Sequence, residues 1–305
     1  MYLDTPILFL IFNRPDTTQK VFNEIRKAKP RKFFISADGP RESIADDKEK
    51  CERTREIIRQ IDWDCDVRTL FREKNLGCKV ASSSAVKWFF ENVEQGIILE
   101  DDCLPHPTFF RFCAELLDYY KDDKRIMSIG GSNFQLGRKP TEYSYYFSKY
   151  TIMWGWATWK RAWNYYDVNM KAWPEVRDKN LLFNILDNKR EASYWKSIFE
   201  KVYKNKLETW CFPFLFACWL QNGLVALPAV NLISNIGFGN VGTHTRNKSI
   251  LANLKSEPVT FPLLHPPYVF KDVIADKFIK KHGFNPSRVY KKIIDLLYGR
   301  YERGL

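Results

Sequence analysis

Short apolar runs alternate with amphipathic stretches along the first part of the chain, up to Gly131. A short apolar run bounded by polar or turn-forming residues is typical of a buried strand. The stretches between the runs repeat apolar residues at helical spacing, as Val21, Phe22 and Ile25 do. Strands that alternate with helices form βαβ units, with parallel strands and right-handed crossovers. The predicted strands are 7–12, 32–37, 67–71, 97–99 and 126–129, and the predicted helices begin at residue 17 and span 46–60, 82–92 and 108–120.

The pattern changes beyond residue 140. Aromatic residues become dense at 143–147 and 153–159, and two further helical stretches follow near 180–188 and 193–205. The last segment repeats apolar positions at helical spacing among basic ones, which predicts a basic amphipathic helix. Its apolar positions are Val289, Ile293, Leu296 and Leu297, and its basic ones include Lys291, Lys292 and Arg300. We predict an α/β fold with a Rossmann-like, mixed but mostly parallel sheet flanked by helices, an aromatic-rich second half and a C-terminal helical tail.

The composition indicates a globular protein with an anionic partner. The 305 residues, 45% hydrophobic and 28% charged, are enough for one large α/β domain or two closely joined ones. Lys and Arg number 48 against 36 Asp and Glu, a net charge of +12 that favours phosphorylated substrates, nucleic acid or an acidic membrane surface. No Cys-His finger, RNP-like motif or long basic block occurs, so nucleic acid is not an expected partner. The basic last helix predicts peripheral contact with an anionic membrane.

The cysteines and the first residues predict a cytoplasmic protein. Seven cysteines are scattered without a C-x-x-C pair, as expected of reduced, mostly buried thiols. The first apolar run has no basic segment before it and no cleavage site after it, so we expect a strand and not a signal peptide. The longest apolar stretch, 211–233, is interrupted by Pro213, Gly223 and Pro228, which makes it a poor membrane span.

Three carboxylates follow the apolar run 97–99 directly. Glu100, Asp101 and Asp102 would lie at the carboxyl edge of a parallel sheet, where open α/β sheets bind ligands. Packed together, they repel one another unless a cation offsets their charge. Mg²⁺ and Mn²⁺ take oxygen ligands and commonly bind through one or two carboxylates and the phosphates of a substrate. The cluster predicts a metal-bridged phosphate site, with a solvated acidic turn as the alternative.

Six segments between residues 5 and 246 carry a resemblance to a known family. They are 7–14, 34–39, 79–81 with Trp88, 98–102 with 107–110, Gly155-Trp156 with Trp163, and 233–239 with 242–244. In this order they resemble the GT-A glycosyltransferases that use nucleotide-diphosphate sugars, and most closely the inverting N-acetylglucosaminyltransferase I type and its bacterial relatives. The resemblance implies the GT-A fold, a nucleotide-diphosphate sugar as donor (a UDP-sugar is favoured), and Mn²⁺ or Mg²⁺ as cofactor.

The resemblance also implies roles for individual residues. Asp102 would bind the metal directly, while Glu100 and Asp101 would contact the sugar and the ribose of the donor. His244, on a loop that folds over the bound donor, would reach the metal or a phosphate. The alternative for His244 is an ordinary hydrogen-bonding residue.

Three residues of the first half are placed with the donor in the same way. Asp38 would hold the donor base, and the planar fork of Arg14 suits either a phosphate or stacking on the base. Lys79, in the segment 79–81, joins these donor-binding residues. As alternatives, Asp38 forms a turn before Gly39, and Arg14 forms a surface ion pair near Asp16.

The segment expected to bind the acceptor departs from the pattern of the family. Relatives often carry an acidic residue just after a Trp, but here Cys211 follows Trp210, and a thiol is a poor general base for an alcohol. Glu208 is the carboxylate of that element and our candidate base, with Asp167 and Glu175 as alternatives. The tryptophans of the segment 153–159 form either a sugar platform or core and wall; they are Trp154, Trp156 and Trp159.

We therefore predict a metal-dependent glycosyltransferase of polysaccharide biosynthesis that moves a sugar to a hydroxyl of a glycan or lipid-linked acceptor, with inversion. Residues 1–140 would form the nucleotide-sugar-binding half, 141–262 the acceptor-side catalytic half and 263–305 the helical tail. A sugar-phosphate nucleotidyltransferase shares the sheet and the acids, but it usually has a Gly-rich loop near its first strand, which 12–15 lacks. A catalytically inactive protein that binds nucleotide sugars or glycans is the third possibility, motivated by Cys211.

Overall fold

The computed structural model describes residues 2–186, 188–238 and 250–284. The strands in these residues are β1 (Ile7–Ile11), β2 (Lys32–Ala37), β3 (Asp66–Phe71), β4 (Gln95–Glu100), β5 (Cys103–Pro105), β6 (Ile126–Gly130), β7 (Tyr145–Ser148), β8 (Trp156–Trp159), β9 (Leu224–Pro228) and β10 (Ile233–Asn235). The α-helices are α1 (Pro15–Ala28), α2 (Asp47–Glu56), α3 (Gly77–Asn92), α4 (Thr108–Tyr119), α5 (Lys160–Trp163), α6 (Trp173–Asp178), α7 (Lys189–Tyr203), α8 (Cys211–Leu220) and α9 (Val273–Ile279).

Eight strands form one sheet in the order β3-β2-β1-β4-β8-β6-β9-β7. The first four strands are parallel, β8 runs antiparallel to both β4 and β6, and β7 runs antiparallel to β9 at the far edge. The strands β5 and β10 form a separate antiparallel pair. The predicted α/β fold, with a mixed and mostly parallel sheet flanked by helices, is confirmed.

Both faces of the sheet are covered by helices, as the continuous apolar runs of its strands require. Along β1, Ile7, Phe9 and Ile11 pack with residues of α1 and α4. The alternate residues Leu8 and Leu10 face the other side and pack with residues of α3 and α8. Because β1 is buried on both faces, its carboxyl end is a rigid point from which side chains can be directed into a ligand site.

Several elements differ from their predicted bounds. α3 begins at Gly77, five residues before the predicted start, because a side chain caps it as described below. The predicted helix near 180–188 is only a 3₁₀ turn at Leu181–Asn184. α8 has no helical periodicity to predict it, because its side chains are buried almost all round. The predicted last helix, beyond residue 284, lies outside the described residues.

The apolar stretch 211–233 divides into α8 and β9 and ends at the first residue of β10. In the described ranges, no helix combines the length and the apolar character needed to cross a membrane. All seven cysteines are free thiols, and four of them are buried.

Candidate functional site

A cavity of about 560 Å³ opens at the carboxyl ends of β1, β2 and β4. This is the edge at which open α/β sheets bind ligands, and the volume is that of a small-molecule site. One part of the wall follows these strands and the start of α3, and another part is the segment 207–212, which leads into α8. The walls come from distant parts of the sequence, so the cavity depends on the complete sheet.

The carboxylates that follow β4 meet a guanidinium from the end of β1. The register of the two parallel strands pairs Leu10 with Glu100, so the residues just beyond lie side by side. Arg14 Nη1 lies 2.6 Å from Asp102 Oδ2 and 3.4 Å from Asp101 Oδ1. The backbone N–H of Phe12 donates to Asp101 Oδ2 at 3.1 Å. The structure thus brings together four of the predicted site residues, and the partner of Arg14 is this cluster.

The charge of the cluster is not balanced by Arg14 alone. Burial, together with repulsion from Asp102 and Asp101, raises the pKa of Glu100 to about 8. Burial raises the pKa of Asp101 to about 6, although the charge of Arg14 opposes the shift. The same attraction, first from Asp101, raises the pKa of Arg14. Three carboxylates facing one guanidinium can accommodate a further positive charge.

The backbone after β10 closes over Asp102. The N–H of Ile236 donates to the carbonyl of Asp102 at 2.8 Å. A Cβ placed on Gly237 would lie 2.2 Å from Asp102 Oδ2, so a larger residue cannot stand there without displacing the carboxylate. The side chain of Asn235 accepts from the N–H of Gly237 at 3.0 Å and lines the cavity. The segment 235–238, part of the loop predicted to fold over the donor, therefore lies against Asp102.

Asp38 lines the cavity, but its carboxylate is occupied by the main chain. It accepts from the N–H groups of Gly39 at 2.9 Å, Leu76 at 3.0 Å and Gly77 at 3.1 Å, and from the amide of Asn75 at 3.1 Å. These bonds cap the beginning of α3. Burial nevertheless raises the pKa of Asp38, against the effect of these bonds. In this structure Asp38 has the turn-forming role, and a contact with a base would require one of these bonds to open.

The start of α3 also contacts the segment that carries Glu208. A Cβ on Gly77, whose φ is +76°, would lie 2.6 Å from Oε1 of Glu208. The amine of Lys79 donates to the side chain of Asn205 at 2.8 Å, and Lys79 is not among the residues that line the cavity. Lys79 therefore joins α3 to the loop before α8, and its predicted contact with a donor has no support in this geometry.

The three carboxylates considered as a base differ in position. Glu208 lines the cavity and is exposed to solvent. Asp167 accepts from the N–H groups of Asn169 and Lys171 within a turn, and Glu175 forms an exposed ion pair with Lys179 at 2.7 Å. Of the three, Glu208 is the one that lines the same cavity as the carboxylate cluster.

The cavity also contains two thiols, Cys78 and Cys211. Burial raises the pKa of Cys78 to about 12 and that of Cys211 well above its usual range. Both thiols are therefore protonated at neutral pH, and Cys211 does not replace the missing carboxylate as a base.

One network in the cavity wall escaped the sequence analysis. The buried carboxylate of Asp47 accepts from Arg41 Nε and Nη2, both at 2.8 Å, and from the amide of Asn13. Bonds from Arg41 lower the pKa of Asp47 to about 2. The guanidinium of Arg41 lies 5.3 Å from the ring centroid of Phe12, and both residues line the cavity. In the sequence Arg41 is one of many charged loop residues, so no signal distinguishes it.

The tryptophans of the segment 153–159 separate into two kinds. Trp156 and Trp159 are buried in the core, as the alternative interpretation expected. Trp154 lines the cavity, where its ring meets Phe134 at 5.0 Å and Phe238 at 5.6 Å between centroids. Of these three tryptophans, Trp154 is the one that lines the cavity and can offer a ring to a ligand.

The side chains that line the cavity supply only part of the ligand set that a divalent cation needs. Within the described ranges, no three His, Cys, Asp or Glu side chains converge on one ion position. Asp102 can offer a carboxylate, and phosphate oxygens and water would have to complete the set, as is usual for Mg²⁺. Arg14 holds that carboxylate in this structure, so it has to exchange its partner first. His244, the second predicted ligand, lies outside the described residues.

No protein-family model matches the chain, and none of the curated proteins compared with it matches either. Partial alignments exist with solved structures. A cytidylyltransferase from Leptospira borgpetersenii serovar Hardjo-bovis aligns over 53% of this chain and 63% of its own, with 13% identity and a TM-score of 0.33. HddC from Yersinia pseudotuberculosis aligns over 52% and 77%, with 9% identity and a TM-score of 0.32.

A UDP-glucose pyrophosphorylase complexed with UDP-glucose aligns over 48% of this chain and 62% of its own, with 15% identity and a TM-score of 0.27. The aligned part of this chain thus spans less than two thirds of the cytidylyltransferase and of the pyrophosphorylase. Likeness at this level assigns no reaction to the chain. The molecule itself has a mixed α/β sheet with a cavity at the carboxyl ends of its parallel strands. Among the described residues, two arginines and five carboxylates line this cavity: Arg14, Arg41, Asp38, Glu100, Asp101, Asp102 and Glu208.

Proposed function

We propose that the chain is a glycosyltransferase that binds a nucleotide-diphosphate sugar, preferably a UDP-sugar, and moves the sugar with inversion to a hydroxyl of a glycan or lipid-linked acceptor. The observation that carries this proposal is that Arg14 and Asp102, at the carboxyl edge of the sheet, and Glu208, on the segment before α8, line one cavity. A leaving diphosphate needs positive charge on its side, and an attacking hydroxyl needs a base on the opposite side.

The carboxyl edge of the sheet would hold the diphosphate. The planar guanidinium of Arg14 suits phosphate oxygens, and Asp102 would hold Mn²⁺ or Mg²⁺ beside it. Such an ion, when bound, offsets the negative charge that develops on the leaving group. Arg14 then exchanges Asp102 for a phosphate oxygen, and Glu100 and Asp101 face the sugar and ribose.

The segment 207–212 would hold the acceptor. Glu208 is exposed at the cavity, so its carboxylate can reach a hydroxyl and take the proton as the glycosidic bond forms. Leu207, Trp210 and Phe212 give this segment apolar surface against which a sugar ring can pack. Trp154 adds a ring near the donor loop.

Nucleotidyl transfer to a sugar phosphate is the second candidate because it would use the same carboxylates. The turn 12–14 between β1 and α1 contains no glycine, and Pro15 begins the helix at once. The usual cradle of backbone N–H groups for a triphosphate, a glycine-rich loop before a helix, is thus missing there. We rank glycosyl transfer first for this reason.

The decisive experiment compares two reactions of the full chain with Mn²⁺. UDP-, GDP-, dTDP- and CMP-sugars are tested for release of free sugar or nucleotide, and nucleoside triphosphates with sugar 1-phosphates are tested for release of pyrophosphate. We expect release of UDP from a UDP-sugar, loss of that release in Asp102→Asn, and no pyrophosphate. Asp118→Asn, an exposed carboxylate on α4, is the matched control.

Pyrophosphate release that depends on Asp102 would replace the proposal by nucleotidyl transfer. Donor binding by thermal shift with neither reaction would indicate a binding protein, since a ligand at 100 times its Kd raises the free energy of unfolding by about 2.7 kcal/mol.

A further inference from the structure

In the described ranges, four large apolar side chains are more than 60% exposed, and all of them lie in the segment 264–274. Leu264, Tyr268, Phe270 and Ile274 are 61%, 70%, 66% and 71% exposed. The rings of Tyr268 and Phe270 are stacked, with centroids 6.4 Å apart. Exposed apolar residues that cluster in this way mark interaction sites, whereas scattered ones do not. We call residues 264–274 the aromatic bulge.

The aromatic bulge projects from the edge of the sheet because it is longer than the strand it follows. Ser144 N–H donates to the carbonyl of Leu264 at 2.9 Å, and Asp272 N–H donates to the carbonyl of Phe147 at 2.7 Å. Between these two hydrogen bonds the chain along β7 runs three residues, from 144 to 147, whereas the bulge runs eight residues, from 264 to 272. At about 3.3 Å per extended residue, three residues span about 10 Å and eight span about 26 Å. The excess length has to leave the sheet edge.

The base of the bulge is fixed and its tip faces outward. His265 is stacked on Tyr119, with centroids 4.1 Å apart, and its Nδ1 lies 2.8 Å from the hydroxyl of Tyr145. Val269 packs against the main core, whereas its neighbours Tyr268 and Phe270 turn to solvent. The exposed rings are therefore presented by an ordered support.

Exposed basic residues lie on the helical segment that follows the bulge. They are Lys277 and Lys281. The guanidinium of Arg138 packs against the same segment, 4.5 Å from the ring centroid of Phe278, and the next residue, Lys139, is exposed. Of the nearby acids, Asp272 caps α9 and Glu142 is exposed. On α4, Glu115 is paired with Arg111 and the exposed Asp118 with Lys121.

We propose that the aromatic bulge binds an anionic lipid membrane. Tyr268, Phe270 and Ile274 enter the interfacial region, and Lys277 and Lys281 meet the headgroups. Aromatic rings favour the membrane–water interface, and juxtaposed basic residues bind anionic lipid. A glycan would explain the rings but not the exposure of Leu264 and Ile274, which have no flat face for a sugar. This inference is independent of the proposed function.

The test is co-sedimentation of the full chain with vesicles. Vesicles of phosphatidylcholine and phosphatidylglycerol in equal parts should bind it, and binding should fall as salt rises. The triple variant Tyr268→Ser/Phe270→Ser/Ile274→Ser should bind at least about tenfold more weakly. The matched control, Tyr165→Ser/Phe183→Ser, removes two large side chains exposed by 50% and 48% on other elements and should bind as wild type.

A second variant separates charge from apolar contact. Lys277→Glu/Lys281→Glu should keep the fold, judged by circular dichroism and Tm, and lose binding to the anionic vesicles. The proposal is wrong if the wild type binds no vesicles, or if the triple variant binds as the wild type does. It is also wrong if the wild type is a dimer in light scattering that the triple variant converts to a monomer, because the bulge is then an interface between two copies.

Discussion

Arg14 and Asp102 are held together by the register of two neighbouring strands. β1 and β4 are parallel and end at the same level, so the guanidinium that follows one strand reaches the carboxylates that follow the other. In this arrangement the guanidinium of Arg14 contacts Asp102 Oδ2, an oxygen that could otherwise bind a cation. The guanidinium and a divalent ion are therefore competitors for Asp102 until a phosphate offers Arg14 another partner.

Replacing Arg14 should change the affinities for metal and nucleotide in opposite directions. Without nucleotide, Arg14→Gln should bind Mn²⁺ about tenfold or more tightly than the wild type, because a competing charge is removed. The same variant should bind UDP more weakly. Calorimetric titration of Mn²⁺ and of UDP measures both effects. Arg26→Gln, which removes an exposed partner of Asp62, is the control. Equal Mn²⁺ affinity in Arg14→Gln and wild type would show that Asp102 is not the ligand.

Replacing Glu208 tests the proposed base. Glu208→Gln keeps the shape of the side chain beside Gly77 but cannot take a proton. It should bind donor as the wild type does and transfer sugar about 100-fold or more slowly, the usual scale for loss of a general base. Glu175→Gln, exposed and outside the cavity, should transfer normally. Transfer by Glu208→Gln at a near-normal rate would remove this residue from the mechanism.

The sequence could predict residues whose place follows from the end of a strand, and Arg14, Asp101 and Asp102 are of this kind. It could not predict the pair of Arg41 and Asp47. Arg41 lies in a loop whose path is decided by tertiary contacts, and Asp47 has the appearance of an ordinary acid in the first turn of a helix. Their hydrogen bonds become visible only when the loop is closed.

At the scale of elements, α3 joins the two parts of the cavity wall. Its first turn is capped from β2 by Asp38, its Gly77 lies beside Glu208, and Lys79 in the same turn holds the loop before α8. A shift of this helix end would therefore move both parts. The sequence predicted a later start, because a helix whose cap comes from a distant strand shows no local capping signal.

The cap predicts a measurable loss of stability. Asp38→Ala should lower the free energy of unfolding by about 1–2 kcal/mol, because it leaves the N–H groups of Leu76 and Gly77 without an acceptor. Asp46→Ala is a matched control, since Asp46 holds the N-cap position of α2 without making a cap hydrogen bond. Its loss should not exceed about 0.5 kcal/mol. Urea denaturation compares the two, and equal losses would contradict the capping role.

At the scale of the whole molecule, the helical segment 273–284 is tied to the sheet by buried charges. Lys149 Nζ lies 2.9 Å and Lys280 Nζ 3.1 Å from the carboxylate of Glu191, which is itself buried. On α9, Asp276 accepts from the hydroxyl of Ser148 and from the N–H of Lys149. These groups connect α7, the end of β7 and α9, three elements that are far apart in the sequence.

Asp276 should make this connection sensitive to pH. Burial raises its pKa from 3.8 to about 6, so between these values the folded chain holds a proton that the unfolded chain has released. The contribution to stability is present below pH 4 and is lost as pH rises through 6. The difference in free energy of unfolding between wild type and Asp276→Asn should therefore fall by on the order of 2 kcal/mol from pH 4 to pH 6.5. Urea denaturation over this range, with Asp118→Asn as control, checks the slope, and a difference that rises with pH would contradict it.

The pairing of β5 with β10 has a consequence for the order of folding. Strands β1 to β4 are neighbours that pair as soon as the first hundred residues exist, whereas β5 must wait for β10, since Leu104 pairs with Ser234. Pairings across such separations close slowly, because the intervening chain loses its freedom before the contacts form. During synthesis the strand ends that direct Arg14 and Asp102 are therefore assembled first. The segment 235–238, which covers Asp102, is synthesised later than both the segment of Glu208 and β9, so this side of the cavity is completed last.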